Sequence, residues 1–454
     1  MGDLAKIFKA YDIRGVVPGQ LDEGVAEAVG GAFARLTGAR SVVTVHDMRT
    51  SSGPLAEAFA RGVIAQGADV IAAGLGSTDM LYYASGSLGV PGAMVTASHN
   101  PPSYNGIKLC RDGARPVGED TGLREIRAGA ESGGPARQGP EGTITHRDLL
   151  SGYAGYLRKL VGLSGIRPLT VAVDAGNGMA GHTVPEVFEG LPVTVVPLYF
   201  ELDGTFPNHE ANPIEPANVR DLQAAVRQHG ADIGLAFDGD ADRCFVIDER
   251  GEIVAPSVLT ALVAVRELAR EPGATIIHNL ITSRGVAEII AEHGGTPVRT
   301  RVGHSFIKAE MARTGAVFGG EHSGHFYFRD FWFADSGMLA ALHVLAALGG
   351  QDRPLSELLA SYARYHASGE VNSEVRDQAA ATARVRDAFS GRQGTTTDEL
   401  DGLTVSAPDW WFNLRPSNTE PLLRLNVEAA SEATMSSVRD EVLGIVRDTT
   451  ARSA

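Results

Sequence analysis

Short apolar runs rich in valine and isoleucine alternate, along most of the chain, with segments whose apolar residues recur at helical spacing. "SVVTVHD" reads as a strand, "GPLAEAFARGVIAQG" as a helix, "DVIAAG" as a strand, "TDMLYYASGSLG" as a helix and "AMVTAS" as a strand. That βαβαβ order is the pattern of a parallel sheet with helices on both faces. The polar, Gly-rich "AGAESGGPARQGPEG" reads as the outer loop that closes this first unit.

The theme then restarts. "LTVAVDAG", "PVTVVPLYF", "NVRDLQAAVRQHG" and "ADIGLAFDG" make a second α/β unit; "ATIIHN", "SRGVAEIIAEHG", "TPVRTRV", "SFIKAEMARTG" and "AVFGGE" make a third. "QGADVIAAG" and "HGADIGLAFDG" echo one another, as related repeats would. Toward the end the pattern changes. "LTVSA", "WWFNLRPS" and "LLRLNVEA" are strands without intervening helices, which predicts an antiparallel sheet with helices on one face. The last helix, "ATMSSVRDEVLGIVRD", places Met435, Val438, Val442 and Ile445 on one core-facing stripe. The predicted domains are 1–147, 148–252 and 253–362, all α/β, and 363–454, α+β.

At 454 residues the chain is too long for a single core, in keeping with several units. No apolar stretch reaches the roughly 20 uncharged residues that span a bilayer. The first residues, "MGDLAKIFKAYDIRG", have no apolar signal core, and Lys6 stands where a myristoylation site needs Ser or Thr. Cys110 and Cys244 have no CxxC spacing, which fits a reducing cytoplasm. Forty basic against 55 acidic side chains give a net charge of −15 with no basic run, which argues against nucleic acid as a partner. A phosphorylated small molecule stays possible, because a few Arg and Lys can dominate their own cleft. Oligomeric state is not legible in the sequence.

Four constellations carry candidate chemistry. "VTASHNPPSYNGIK" puts Ser98 and His99 in a proline-broken turn after an apolar strand, where open α/β sheets place reactive groups, although a helix-capping turn has the same composition. "AFDGDADRCF" carries Asp238, Asp240 and Asp242 at alternate positions after a strand. Carboxylates so close repel one another unless a cation neutralises them, and the pattern suits a hard ion such as Mg²⁺ or Ca²⁺. An EF-hand fails: Glu249 stands at the twelfth position, but Arg243 replaces the required glycine and the flanks are strands. "FGGEHSGHFYF" groups Glu321, His322, Ser323 and His325. Zinc would need a third ligand that the neighbourhood lacks, whereas these short polar groups suit a polyhydroxylated ligand. "LRPSNTEP" sets Arg415, Ser417, Asn418 and Thr419 in a turn whose donors match a phosphate dianion. A rival reading comes from "DAGNGMAG", where Gly176, Gly178 and Gly181 fit GxGxxG and Glu201 or Asp203 follows the next strand. A nicotinamide-dependent dehydrogenase would leave the three aspartates and the "RPSNT" turn without a task, so a tight strand-to-helix turn is preferred.

Together, "FKAYDIRG", "TASHNPPSYNGIK", "DGDADR", "VGHSFIK", "GGEHSGH" and "RPSNTEP", in this order and spacing, resemble the α-D-phosphohexomutase family, most closely its bacterial phosphomannomutase/phosphoglucomutase members. The resemblance implies three related α/β domains with mixed, mainly parallel sheets and a C-terminal α+β domain with an antiparallel sheet, around a central cleft. It implies that Ser98 carries a phosphoryl group and that Asp238, Asp240 and Asp242 hold Mg²⁺ together with a phosphoserine oxygen. Arg14, His99, Lys108 and Arg243 would steady that phosphate, with Tyr11 at the same cleft. Glu321 and Ser323 would grip sugar hydroxyls, with His304 and His325 nearby, and Arg415, Ser417, Asn418 and Thr419 would hold the substrate's own phosphate. A hexose 1,6-bisphosphate would form, turn end for end and return a phosphate to Ser98, serving also as activator. His99, His304 and Lys108 are all candidates for the general base. Where some members carry a lysine, this chain reads "HNLITSR": either Arg284 substitutes or the contact is missing. "GEHSGH" differs from the "GEQSGH" associated with phosphoglucosamine mutases.

Overall fold

The computed structural model describes residues 4–134, 139–417 and 422–448. Its first sheet has seven strands, in the order Ile13–Val16, Tyr104–Arg111, Gly92–Val95, Ser41–His46, Asp69–Leu75 and Ile144–His146, with Arg115–Pro116 on the side of Tyr104–Arg111. From Gly92–Val95 to Ile144–His146 the strands run parallel. Tyr104–Arg111 turns back antiparallel to Gly92–Val95. Val42, Val43, Thr44 and Val45 are all buried, the continuous burial of a strand covered on both faces.

The second sheet runs Ile253–Val254, Cys244–Asp248, Ile233–Phe237, Leu169–Asp174, Val193–Leu198. The third runs Thr296–Thr300, Thr275–Asn279, Phe318–Gly320, Phe326–Phe328, Ala334–Asp335. Each has two parallel pairings on one side and two antiparallel ones on the other. The fourth sheet, His366–Glu374, Leu422–Ala429, Trp410–Pro416, Leu403–Ser406, Thr396–Asp398, is antiparallel throughout. The expected fold class is what the structure has: three mixed α/β units and an antiparallel α+β unit.

Some elements differ from expectation. The helix Leu123–Glu131 takes the start of the stretch read as an outer loop, because Leu123, Ile126 and Ala130 return to the core at helical spacing. In the last unit the strands His366–Glu374 and Thr396–Asp398 and the helix Gln378–Phe389 are additional; the two strands are largely exposed edges without an apolar run to announce them. In the final helix Val446, not Ile445, completes the buried stripe of Met435, Val438 and Val442.

Besides apolar clusters of their own, the first three units share a core. One apolar cluster runs from Val43 and Met80 through Val171 and Leu235 to Ile276 and Leu342. Its centre is the helix Gly337–Gly349, "GMLAALHVLAALG", apolar on every side and buried along nearly its whole length. The last unit has its own core, built from Phe389, Phe412, Leu414, Leu425 and Val442.

Asp79 ties the first three units by polar contacts. Its Oδ2 accepts from Tyr153 Oη at 2.8 Å and Ser336 Oγ at 2.6 Å, and Ser77 Oγ donates to Oδ1. Burial pushes this carboxyl up to about 6, against the pull of the three hydroxyls. Nearby, the Trp332 ring stacks on Tyr156 (5.2 Å, 21°) and meets Tyr83 edge-on. Asp79→Ala is expected to destabilise the chain by about 1–3 kcal/mol for each hydroxyl left without an acceptor. Because the folded pKa is raised, the wild type's advantage should narrow as pH rises from about 4 to about 6, where the unfolded chain ionises Asp79 and the folded one resists. Urea titrations across that range check this; equal midpoints would show that the junction does not depend on the carboxylate.

Candidate active site

In each of the first three units one loop occupies the same topological place, joining the carboxyl end of a parallel strand to its antiparallel neighbour. Residues 96–103 follow Gly92–Val95, 238–243 follow Ile233–Phe237, and 321–325 follow Phe318–Gly320. These are the loops of Ser98, of the aspartate triad and of Glu321. The fourth motif lies on Trp410–Pro416 and just beyond it, before Leu422–Ala429. Carboxyl ends of parallel strands are where α/β sheets place ligands, because the strand fixes the base of a loop and leaves its tip free for chemistry.

Ser98 is buried and has φ +50°, a left-handed conformation that a serine adopts only under constraint. Its Oγ donates to Asp238 Oδ2 at 2.7 Å and lies 3.2 Å from His99 Nδ1. The aspartate loop meets it backbone to backbone: a Cβ on Gly239 would fall on the Ser98 carbonyl oxygen. Gly178 in turn lets the "DAGNGMAG" turn approach Gly239, whose carbonyl accepts from Met179 N at 2.9 Å. The glycine pattern that mimics a dinucleotide fingerprint thus shoulders the aspartate loop.

Asp238, Asp240 and Asp242 are all buried, and one carboxylate oxygen from each lies within 4.8 Å of the others. Lys108 reaches across from the first unit, its Nζ 2.7 Å from Asp240 and 2.6 Å from Asp242. Arg243 holds Asp238 through Nε at 3.0 Å and its terminal nitrogen at 2.9 Å. Thr78 Oγ1 donates to Asp240 Oδ2 at 2.6 Å. Burial pushes Asp238 up to about 8, with Asp242 and Asp240 adding to the rise and Arg243 opposing it. Burial also opposes ionisation of Asp240 and Asp242, but Lys108 outweighs it and holds both below the ordinary carboxylate range. Burial, then Arg243 and Arg14, push the His99 imidazole down to about 2, so it is neutral. Asp240 Oδ1 and Asp242 Oδ1 are buried without a hydrogen-bond partner. Acceptors stranded in this way among hard oxygen donors suit a divalent cation.

The third unit closes on the triad through His325, whose Nε2 lies 3.7 Å from Asp242 Oδ1 and whose Nδ1 is 2.9 Å from Ser323 Oγ. Glu321 is more committed than the sequence indicates. It accepts from Tyr327 Oη at 2.6 Å, Asn279 Nδ2 at 3.1 Å and Gly303 N at 3.3 Å, which leaves about one lone pair for a ligand hydroxyl. Tyr11 Oη lies beside Gly303, 3.0 Å from where a Cβ would stand. Arg14 is bonded to Asn100 on the serine loop and to Asp12.

Arg415 is nearly buried and pairs with Glu370 at 2.9 Å; Arg424 shares that carboxylate at 3.3 Å and donates to Ser417 Oγ at 3.2 Å. This basic cluster makes no direct contact with the Ser98 site among the described residues. His322 lies close to it, its pKa lowered by burial, with Glu370 and Arg415 as its charged neighbours. Asn418, Thr419 and the His304 side chain lie outside the described residues. Arg284 points away: its guanidinium donates to the carbonyls of Ala407, Pro408 and Trp410, joining the third and fourth units.

Sequence reading missed Lys308 and Asp335, a buried pair 2.7 Å apart, and the partner role of Glu370. Lys308 also stands over the Tyr82 ring at 4.4 Å, and Asp335 Oδ2 is 4.0 Å from His325 Nε2. A lysine inside the amphipathic segment "SFIKAEMARTG" looks like a solvated helix position, so only its burial reveals it.

Comparison with known proteins agrees with this architecture. Four domain families described as phosphoglucomutase/phosphomannomutase match in order: α/β/α domain I at residues 5–136, domain II at 152–251, domain III at 256–365 and the C-terminal domain at 370–445. A phosphomannomutase of Escherichia coli is 41% identical over 97% of this chain and 99% of its own. A protein named phosphohexose mutases from Xanthomonas campestris pv. campestris is 42% identical over 97% and 99%. The crystal structure of a phosphoglucomutase/phosphomannomutase family protein from Burkholderia thailandensis superposes with a TM-score of 0.88 at 34% identity, covering 98% of each chain. A serine loop faces a buried carboxylate cluster on three repeated α/β units with a fourth domain, and the matched families and relatives are those of phosphotransferase mutases. The chain belongs to the phosphoglucomutase/phosphomannomutase family and is an isomerase, a phosphohexomutase.

Removing the cation that bridges Asp240 and Asp242 tests the electrostatics of the cluster. Lys108→Met is expected to cost about 3–5 kcal/mol near pH 7, as for one partner lost from a buried pair. In the wild type both carboxyls are lowered, so their contribution holds above about pH 4 and is lost below it. In the variant protonation replaces the missing ammonium, so the deficit should shrink toward pH 5, and Mg²⁺ should recover part of it. Urea unfolding with and without Mg²⁺ measures both; an unchanged midpoint would mean that Lys108 does not neutralise the triad.

Proposed function

We propose that this protein is a Mg²⁺-dependent phosphomannomutase, interconverting mannose 1-phosphate and mannose 6-phosphate through phospho-Ser98 and a hexose 1,6-bisphosphate, and acting also on glucose phosphates. The observation that carries the reading is the 2.7 Å contact of Ser98 Oγ with Asp238, which joins a strained serine loop to a buried carboxylate triad from another unit. Asp238, Asp240 and Asp242 would hold Mg²⁺ together with a phosphoserine oxygen. When bound, the ion would offset charge on the transferred group, and the remaining catalysis is positioning and electrostatics.

The chain's own residues divide the work. Lys108 and Arg243 bring positive charge to the site, and Arg14 steadies the loop through Asn100. Lys108 is held charged between two carboxylates, so it neutralises rather than abstracts a proton. The neutral His99 imidazole lies beside Ser98 Oγ, but the burial and the arginines that keep it neutral also make it a weak proton acceptor in this arrangement. Glu321, fixed by Tyr327 and Asn279, and Ser323 would orient the sugar, with His304 and His325 beside them. Arg415, Ser417, Asn418 and Thr419 would hold the phosphate already on the substrate. Exchange of the two phosphates then requires the bisphosphate to turn within the cleft. Closure of the fourth unit would keep out water, the competing acceptor. The working compartment is the cytoplasm, where the buried free thiols of Cys110 and Cys244 stay reduced.

Two experiments test this. Intact mass and peptide mapping of active enzyme should find one phosphoryl group, on Ser98. Ser98→Ala should lose most of the turnover while still binding sugar phosphate, and chelation of Mg²⁺ should stop the wild type. Full activity of the alanine variant would overturn the mechanism.

The second concerns the sugar. Mannose and glucose differ only at C2, whereas the grip assigned to Glu321 and Ser323 is on the C3 and C4 hydroxyls. Discrimination should then be on the order of 1–3 kcal/mol, because only a site built around a hydroxyl rejects a change there by 10⁴ or more. The ratio of kcat/KM for mannose 1-phosphate and glucose 1-phosphate should stay below about 10³, with mannose the better substrate. A larger ratio would show that C2 is read directly.

A further inference from the structure

Just after the strand Ser41–His46, "HDMRT" contains an arginine to which the chemistry above gives no task. Arg49 is 3% exposed, and its two terminal nitrogens each serve a pair of backbone carbonyls in the Ser98 loop or at the strand residue that ends it. One donates to Pro101 O at 2.9 Å and Tyr104 O at 3.0 Å, the other to Ser98 O at 2.8 Å and Asn100 O at 2.6 Å. Its Nε faces Asp47 Oδ2 at 3.3 Å. Asp47 is itself fixed, its Oδ1 accepting from Ser52 Oγ at 2.5 Å and Arg49 N at 3.0 Å. The second unit covers the other side: the Phe206 ring lies 5.0 Å from the guanidinium carbon, and Gly204 packs on the Arg49 backbone.

A planar group with five N–H donors thus sends four of them to three carbonyls of the Ser98 loop and to Tyr104 O at the start of the next strand, while its Nε faces Asp47 only as an ion pair. That loop carries Ser98 at φ +50°, a conformation costing about 1–3 kcal/mol that persists only where its surroundings over-determine it. Turning the Ser98 carbonyl toward Arg49 leaves Oγ directed at Asp238. We propose that Arg49 is a positioning residue for phosphoryl transfer: its hold on four carbonyls fixes the serine loop so that Ser98 Oγ stays aligned with the carboxylate triad. Arg49 touches no reacting atom. Lysine cannot replace it, since a single ammonium has three donors on one atom and cannot reach four carbonyls.

The inference rests on Ser98 being the phosphoryl carrier. Mutase kinetics with mannose 1-phosphate, saturating Mg²⁺ and hexose 1,6-bisphosphate should show Arg49→Lys lowering kcat on the order of 10²-fold, as expected for a small misplacement of a reacting group. KM should stay within about threefold, because the sugar and its phosphate are held elsewhere. In Arg49→Ala, millimolar guanidinium ion should raise kcat about tenfold or more and should do nothing for Ser98→Ala. If neither Arg49 variant accumulates as folded protein, Asp47→Asn, which loosens only the Nε side, should lower kcat about tenfold at constant KM. The proposal is overturned if kcat of a folded variant stays within about threefold of wild type, or if lost activity merely follows lost folded protein without guanidinium rescue. A wild type without mutase turnover or without phosphate on Ser98 would instead overturn the functional reading beneath it.

Discussion

Three carboxylates buried side by side cannot all ionise without compensating charge, and this chain brings part of that charge from a different unit. Lys108, on the strand that leads away from the Ser98 loop, reaches Asp240 and Asp242, while Arg243 covers Asp238. The first and second units are therefore held at a distance set by ammonium–carboxylate contacts. Ser98 lies within that distance because its loop begins one strand-end away from Lys108. The main chain shares in the constraint: Thr78 N donates to Asp240 O at 3.0 Å. These cations do not satisfy every oxygen: Asp240 Oδ1 and Asp242 Oδ1 are left without hydrogen-bond partners, which is the property a metal site needs.

The convergence of loops follows from repetition of one topology. A parallel strand that turns back into an antiparallel neighbour presents a loop of fixed base at one end of its sheet. Three such units, packed around the apolar helix Gly337–Gly349, aim their loops at a common cleft. Each loop then differs in content: a serine in the first, carboxylates in the second, a glutamate and histidines in the third. Two of the non-glycine residues with left-handed φ, Ser98 and Ala241, lie in these loops.

The fourth unit is joined differently. Its core is its own, and its links to the third unit are polar: Arg284 to three carbonyls, Arg299 to Asp398 at 2.6 Å, and Asp401 accepting from Val302 N at 3.0 Å. Hydrogen bonds and exposed ion pairs exchange with water at little net cost, whereas separating the shared core of the first three units would expose apolar surface. The first three units thus share an apolar core, while the fourth keeps its own and meets the third through these polar contacts.

Much of this was legible in the sequence, because strand and helix periodicity are local properties and each reactive loop is contiguous in the chain. The alternating acids of "DGDADR", the serine turn of "TASHNPPS" and the donor-rich "RPSN" declare their chemistry through residues a few positions apart. The sequence determined which groups are present and which strand each follows. It could not determine that Glu321 would be pinned by Tyr327 and Asn279, that Arg284 would face the fourth unit, or that Lys308 would be buried against Asp335. Nor could it give Arg49 a purpose, because four backbone carbonyls have no side-chain signature. Those decisions depend on burial and on distances between residues far apart in the chain. The dielectric around a charge, and so its partner, is set only when the units pack.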